Sequence, residues 1–128
     1  MRQLDAINDL VQQRIGVDQP DTAERLLQAV LETLAERDLG GAHASFAAEL
    51  PPAYGQILNN PDRTSREEFS DEEFVRRVAE RADIPLQQSK TWARAALSAL
   101  VENVPALERE RFVTALPDDL VGYTEWTF

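Results

Sequence analysis

The sequence predicts an all-α fold, a tandem pseudo-symmetric helical repeat in which two similar units of three to four helices pack into one bundle-like domain. Three observations predict it. Apolar residues recur at helical spacing, no segment alternates as a strand does, and the second half repeats the first. The repeat is clearest at an offset of 66 residues, in four pairs of identical residues: Leu34 and Leu100, Phe46 and Phe112, Leu50 and Leu116, Pro51 and Pro117.

Length indicates one domain over residues 1–128, because 128 residues is the usual size of a single domain. We expect the repeats to cover residues 1–58 and 69–128, with the polar stretch 59–68 as the connector. A single unit of about 60 residues would bury comparatively little surface alone. The two units are therefore expected to pack against each other.

The first helix of each unit is predicted over residues 3–15 and 70–82, where apolar residues fall at helical spacing. The second of these helices has a marked start. Ser70 stands at the N-cap position and Glu73 at the third helical position, which is the capping-box pattern.

The second helix of each unit is the longest, from about Pro20 to Arg37 and from about Leu86 to Asn103. Alanines in the second copy replace Leu27 and Val30 of the first. Because alanine is small, a neighbouring helix should approach the second long helix more closely.

Two short elements complete each unit. Gly40-Gly41 and Asn103-Val104-Pro105 mark the ends of the long helices, since glycine favours the position after a helix and proline cannot continue one. A short helix with Phe46 or Phe112 follows. Pro51 or Pro117 then opens a fourth short helix or turn.

Composition excludes several classes of function. Cysteine is absent, so disulfides, thiolate metal sites and cysteine nucleophiles are excluded. The net charge of -10 repels nucleic-acid phosphate and anionic membranes, and we expect neither as a partner. No stretch has the pattern of a signal peptide or of a membrane span, which favours a cytoplasmic protein.

The sequence gives little support for a catalytic site or a metal-binding site. His43 is the only histidine, which removes any multi-histidine metal site and leaves one conventional general base near neutral pH. The acidic cluster 67–73 lacks the spacing of a calcium loop, and acid at a helix N-terminus is explained by the helix dipole. We predict no catalytic residue, no cofactor and no metal, and a role for His43 or the cluster stays open.

Arg14 and Arg81 occupy equivalent places near the end of the first helix of each unit. The structural interpretation is an interaction with the helix C-terminus, together with a salt bridge to the neighbouring long helix. The functional alternative is contact with an anion or a partner. The structural interpretation is favoured.

The C-terminal segment 122–128 is rich in aromatic residues, although chain ends are usually polar and frayed. The favoured hypothesis is that it folds back and covers the core. The alternative is an exposed peptide that docks into another protein or a neighbouring copy, because aromatic anchors dominate interface energetics. Tyr123 and Trp126 are then the candidate partner contacts.

Several segments together resemble the bacterial family called domain of unknown function 2267: FSDEEFVRRVAERADI, ARAALSALVE and RFVTALPDDL, echoed by QAVLETLAERDLGGAHASFAAELPPAY. The resemblance covers nearly the whole chain. Its most specific element is the Phe-x3-Leu-Pro ending of each unit, at 46–51 and 112–117. The resemblance implies an all-helical, cytoplasmic bacterial protein with no established activity.

The leading hypothesis for function is a non-catalytic protein-interaction or accessory module with an unknown protein partner. The first alternative is a small-molecule-binding or sensing protein whose site lies between the two helical units. The second alternative, ranked last, is an enzyme that uses His43 and a carboxylate. The oligomeric state is left open.

Overall fold

The computed structural model describes residues 3–37, 42–59, 69–116 and 118–126, and within these ranges no strand occurs. The predicted all-α fold is confirmed. The described residues form these elements: α1 Gln3–Ile15, α2 Pro20–Glu36, α3 Ala42–Ala48, α4 Pro52–Leu58, α5 Asp71–Ala82, α6 Leu86–Glu102, α7 Ala106–Ala115, α8 Asp118–Val121 and a 3-10 helix Gly122–Thr124.

The start of α5 shows why its boundary was readable from the sequence. Ser70 is the N-cap, and its Oγ accepts a hydrogen bond from the Glu73 backbone N at 3.3 Å. The Glu73 carboxylate does not complete a capping box but accepts from Arg76 and Arg77. The helix ends at Asp83, whose φ of 57° places it in the left-handed region, where aspartate is one of the better-tolerated residues.

The other helix ends follow the expected punctuation. Pro20 occupies the first turn of α2, and Pro51 is the N-cap of α4. Asn103 is the C-cap of α6, and its side-chain amide donates to the Ala99 carbonyl at 2.9 Å. The predicted end at Gly40-Gly41, the connector beyond Asn59 and Pro117 fall outside the described ranges.

The two halves of the chain interlock. Helix α1 packs against α2 in its own half and against α6 in the other. Helix α5 likewise packs against α6 and against α2, while α3 packs against α7. The first helix of each half therefore packs against the long helix of its own half and against that of the opposite half. The two halves pack against each other, as we expected because one unit alone is small. The internal repeat itself stays a prediction.

A single hydrophobic core runs through both halves, centred on α2 and α6. Phe46 of α3 and Phe112 of α7 belong to this core and stack, with ring centroids 3.8 Å apart and an interplanar angle of 15°. Trp92 is half-buried against the same core. The long helices contribute mostly aliphatic side chains that are fully buried: Leu27, Val30, Leu31, Leu34, Ala93, Ala96, Leu97 and Leu100.

In the described part of the chain, no helix combines the length and the apolar character that crossing a membrane requires.

Candidate functional site

Arg14 joins the first half of the chain to the second. It lies in the last turn of α1, and its Nη1 donates to Ser98 Oγ on α6 at 2.7 Å. Its Nη2 forms a salt bridge with Glu102 near the end of α6. The Arg14 side chain is largely buried, whereas the Glu102 side chain is about half exposed, so solvent still screens part of this ion pair.

Arg81 makes the reverse connection from α5 to α2. Its Nη1 donates to Thr33 Oγ1 at 3.0 Å and pairs with Glu36 Oε1 at 2.5 Å. Each arginine therefore pairs with the long helix of the opposite half, near that helix's C-terminus. The salt bridge to a long helix, which the structural interpretation expected, forms for both Arg14 and Arg81. In each case that long helix belongs to the other half.

The C-terminal segment packs against the start of α5. Tyr123 is buried, and its hydroxyl donates to Asp71 Oδ2 at 3.1 Å. Its ring meets Phe74 edge-on, with centroids 6.1 Å apart. The backbone N of Asp71 donates to Asp119 Oδ2 at 2.8 Å. The segment thus supplies core packing through Tyr123, and Asp119 of α8 caps the first turn of α5.

Trp126 lies beyond that anchored part and is only half-buried. The guanidinium of Arg14 sits 5.4 Å from its ring centroid, within cation–π range. The proposed partner contacts at Tyr123 and Trp126 remain a prediction. In this conformation Tyr123 is enclosed, so of the two rings Trp126 has the more exposed surface.

A second cluster forms where α2 ends and α5 begins. Arg37 is 7 % exposed. Its guanidinium lies 5.2 Å from the Phe69 ring and 3.8 Å from Asp119 Oδ1. Arg77 packs on the same ring at 4.1 Å. The Nε and Nη1 atoms of Arg37 are buried, and no described residue offers either of them a hydrogen-bond acceptor. No spacing in the sequence signals this cluster, because Arg37 reads there only as the end of a helix.

The acidic residues near the start of α5 have structural partners. Two arginines that donate to Glu73, Arg76 and Arg77, lower its pKa to about 2. Asp71 and Asp119 serve Tyr123 and the helix start, as described above. Among the described residues no group of acidic or histidine side chains is placed to hold a metal ion. Glu67, Glu68 and the side chain of His43 are outside the part of the chain that the structure describes.

An open groove of about 410 Å³ lies between the starts of α5 and α6, beside Tyr123. Leu86, the first residue of α6, lies at its edge and is 58 % exposed. Glu72 and Lys90 are also exposed there, so the groove carries both signs of charge. Its lining is completed by one more carboxylate, one amide and two apolar or aromatic side chains: Asp71, Gln87, Val75 and Tyr123.

The junction between the halves contrasts with this groove. Phe46 and Phe112 stack across it, and Ala96 and Leu97 of α6 are fully buried. The alanines of α6 that replace Leu27 and Val30 of the first half, Ala93 and Ala96, are fully buried. The groove beside Tyr123 lies at the edge of the second half, away from this stack.

The burial of the two tyrosines predicts a loss of stability at alkaline pH. Burial and the nearby Glu24 raise the pKa of Tyr54 to about 12, and burial and Asp71 raise the pKa of Tyr123 well above its ordinary value. An acid whose pKa is raised by folding stabilises the fold below its unfolded pKa. We expect stability to fall as pH rises from about 10 towards 12.

Thermal melting across that pH window, with phenolate absorbance followed in parallel, checks this expectation. The Tyr54→Phe/Tyr123→Phe double variant is the control, because it keeps both rings and removes both titrating hydroxyls. Its melting temperature should decline less steeply than that of the wild type. Phenolate signal that develops near pH 10 while the protein is still folded would contradict the assignment.

These features define an all-α domain whose halves interlock and which has an open groove at the start of α6. A family model described as uncharacterized conserved protein (DUF2267) matches residues 5–123. The chain belongs to that family, and the resemblance seen in the sequence is confirmed. No curated protein matches the chain.

Proposed function

We propose that this chain is a non-catalytic protein-interaction module that receives a partner in the groove between α5 and α6. The exposure of Leu86 carries the proposal, because an apolar side chain of this size at the edge of a groove gains by burial. Val75 and Tyr123 give the groove an apolar floor. Protein interfaces commonly have an apolar centre and a polar rim, so this lining suits an apolar side chain of a partner, surrounded by polar contacts.

The charges around the groove favour a partner segment with an apolar anchor and a basic neighbour. Asp71 and Glu72 stand at the N-terminal end of α5, and Glu72 is exposed. The whole chain carries a net charge of -10, which attracts basic surfaces and speeds their association. Lys90 adds one positive charge to the lining of the groove. An acidic group of the partner, next to its apolar anchor, would face this lysine.

The small-molecule alternative has less support. Its motivation was a cavity between the two units, whereas the stacked rings of Phe46 and Phe112, one from each half, are buried in a common core. The enzyme alternative rests on His43, whose side chain lies outside the described structure. Neither alternative has an observation as specific as the exposed Leu86.

Affinity capture from a lysate of the source organism tests the proposal with a matched pair of variants. Leu86→Asp places a charge at the groove, and Leu107→Asp places the same charge on α7, where the leucine is 57 % exposed. We expect a partner held by the wild type to be reduced at least about tenfold by Leu86→Asp, the effect of losing a central apolar anchor. Leu107→Asp should leave capture unchanged.

Circular dichroism should show that both variants are folded, since each leucine is mostly exposed. Equal capture by Leu86→Asp and the wild type would remove the groove from the proposal. Equal loss in both variants would show a nonspecific effect of added charge. The absence of any protein reproducibly enriched by the wild type would count against an interaction module.

A further inference from the structure

We propose that Trp126 is a positioning residue for the groove. The strap, residues 122–126, lies against α6, and the packing of Trp126 on Arg14 holds it there, so that Tyr123 stays in the floor of the groove. The purpose of the groove rests on the proposed function. The position of Tyr123 can be measured without a partner, so the two proposals can fail separately.

The groove end of the strap is Tyr123, one of the residues that line the groove. Its hydroxyl donates to Asp71 Oδ2 at 3.1 Å and its ring meets Phe74 edge-on, so both of these partners belong to α5. The next anchor is on α6, where Arg94 Nε donates to the Gly122 carbonyl at 3.3 Å. The floor of the groove therefore depends on a segment that must stay seated against two helices.

Beyond Tyr123 the backbone of the strap leaves the helical conformation. The 3-10 helix ends at Thr124, and Glu125 is extended, with a φ of -116° and a ψ of 140°. The Glu125 N–H donates to the Gly122 carbonyl at 3.5 Å, which is longer than an ordinary N–H···O hydrogen bond. The side chain of Trp126, one residue further on, is placed to hold this extended stretch.

Trp126 packs on an arginine that is itself fixed in place. The guanidinium of Arg14 lies 5.4 Å from the centroid of the Trp126 ring. Its Nη1 donates to Ser98 Oγ at 2.7 Å, and its Nη2 pairs with Glu102. A cation–π contact is stronger when its groups are partly desolvated, and the Arg14 side chain is largely buried. Arg14 is therefore a firm anchor for the strap.

The groove and the link between the halves are connected through the strap. Only Thr124 and Glu125 separate Tyr123 from Trp126, so release of the tryptophan frees the backbone next to the tyrosine. Arg14 makes the link from α1 to α6 and carries the ring of Trp126 at the same time. The floor of the groove thus depends on an arginine that does not line it.

Acetylation of tyrosine by N-acetylimidazole tests the proposal on the full-length protein without a partner. The reagent modifies tyrosine hydroxyls that solvent can reach, and both Tyr54 and Tyr123 are buried. Peptide mass spectrometry gives the acetylation rate of each tyrosine separately. Tyr54 is the internal control, because it lies in α4 and its hydroxyl donates to Asn8 of α1. General unfolding raises both rates, whereas release of the strap raises only that of Tyr123.

We expect Trp126→Ala to raise the acetylation rate of Tyr123 about two- to thirtyfold, the change in population that loss of a cation–π contact produces. The rate of Tyr54 should not change. Trp126→Phe keeps a ring over Arg14 and should restore part of the protection. Glu125→Ala is the matched control, because Glu125 is the exposed neighbour of Trp126 in the strap, and it should leave both rates unchanged.

Two results with Trp126→Ala would overturn the proposal: an unchanged rate at Tyr123, or an equal rise at both tyrosines. An effect of Trp126→Phe as large as that of Trp126→Ala would overturn the role of the ring. A rise in Glu125→Ala as large as in Trp126→Ala would show that any change in the strap has the same effect, which would also count against Trp126.

Arg14→Met shows whether Trp126 acts through Arg14, because methionine is unbranched and carries no charge. We expect the ratio of Tyr123 to Tyr54 acetylation to rise as it does in Trp126→Ala. The double variant should show no further rise, because both substitutions remove the same contact. Increases that multiply in the double variant would overturn the assignment of Arg14 as the anchor.

A partner identified by capture separates this proposal from the proposed function. If it binds the groove only with the strap seated, it should return the Tyr123 rate of Trp126→Ala to the wild-type rate. A partner whose capture needs Leu86 but which leaves that rate raised would overturn the positioning role. If the wild type captures no partner, only the proposed function fails, and the acetylation rates still decide whether Trp126 holds Tyr123.

Discussion

Phe46→Ala is expected to lower the free energy of unfolding by about 3–5 kcal/mol, the range for truncating a buried aromatic side chain. Phe46 is almost fully buried, and its ring lies 3.8 Å from that of Phe112. The loss has two sources, the apolar surface returned to water and the cavity left between α3 and α7. Because these helices come from opposite halves, the cavity weakens the junction itself.

Urea unfolding followed by circular dichroism measures this loss. Leu107→Ala is the control, since Leu107 is 57 % exposed and its truncation should change stability by no more than about 0.5 kcal/mol. A double-mutant cycle with Phe46→Ala and Phe112→Ala isolates the interaction energy of the two stacked rings. We expect about 0.5–1.5 kcal/mol in addition to the energy of burying their apolar surface. A loss below about 1 kcal/mol for Phe46→Ala would mean that the junction collapses to fill the space.

The helices could be predicted from the sequence because their signals are local. Apolar spacing placed the long helices, and Ser70 placed the start of α5 to the residue. The pairing of helices could not be predicted in the same way. Arg14 and Arg81 were expected to contact a long helix, but spacing along the chain does not say which one. The opposite-half contacts depend on tertiary packing that no local pattern records.

The candidate groove was missed for a different reason. In a helical pattern an apolar residue at a helix start is normally assigned to the core, so Leu86 gave no sign of exposure. The cluster at Arg37 was hidden because its partners, Phe69 and Asp119, are distant in sequence. Tyr123 and Trp126 looked alike as terminal aromatics, yet the structure buries the first and leaves the second half-exposed.

The residues that line the groove in the second half are not repeated at the corresponding positions of the first half. At the 66-residue offset, Leu86 corresponds to Pro20 and Lys90 corresponds to Glu24. The first half therefore presents a rigid residue and a negative charge where the second presents an apolar side chain and a positive charge. Positions that maintain packing recur in both halves, whereas these exposed positions do not. That difference supports placing a partner site in the second half alone.

Gly55→Ala is expected to destabilise the protein by about 1–3 kcal/mol, the cost of overpacking a well-filled site. Gly55 lies in α4, where a Cβ atom would stand 2.6 Å from the backbone oxygen of Ala47 in α3. A backbone oxygen cannot rotate away as a side chain can, so α3 and α4 must separate. The higher helix propensity of alanine, worth about 1 kcal/mol, offsets only part of this cost.

Gly122→Ala is the matched control, because the nearest atom to its Cβ would be Arg94 Nη2 at 3.8 Å, an ordinary contact. Its stability in urea should stay within about 0.5 kcal/mol of the wild type. Wild-type stability in Gly55→Ala would show that α3 shifts freely. Since α3 also carries Phe46, a displaced α3 loosens the stack on Phe112 as well. The losses from Gly55→Ala and Phe46→Ala should therefore be less than additive in the double variant.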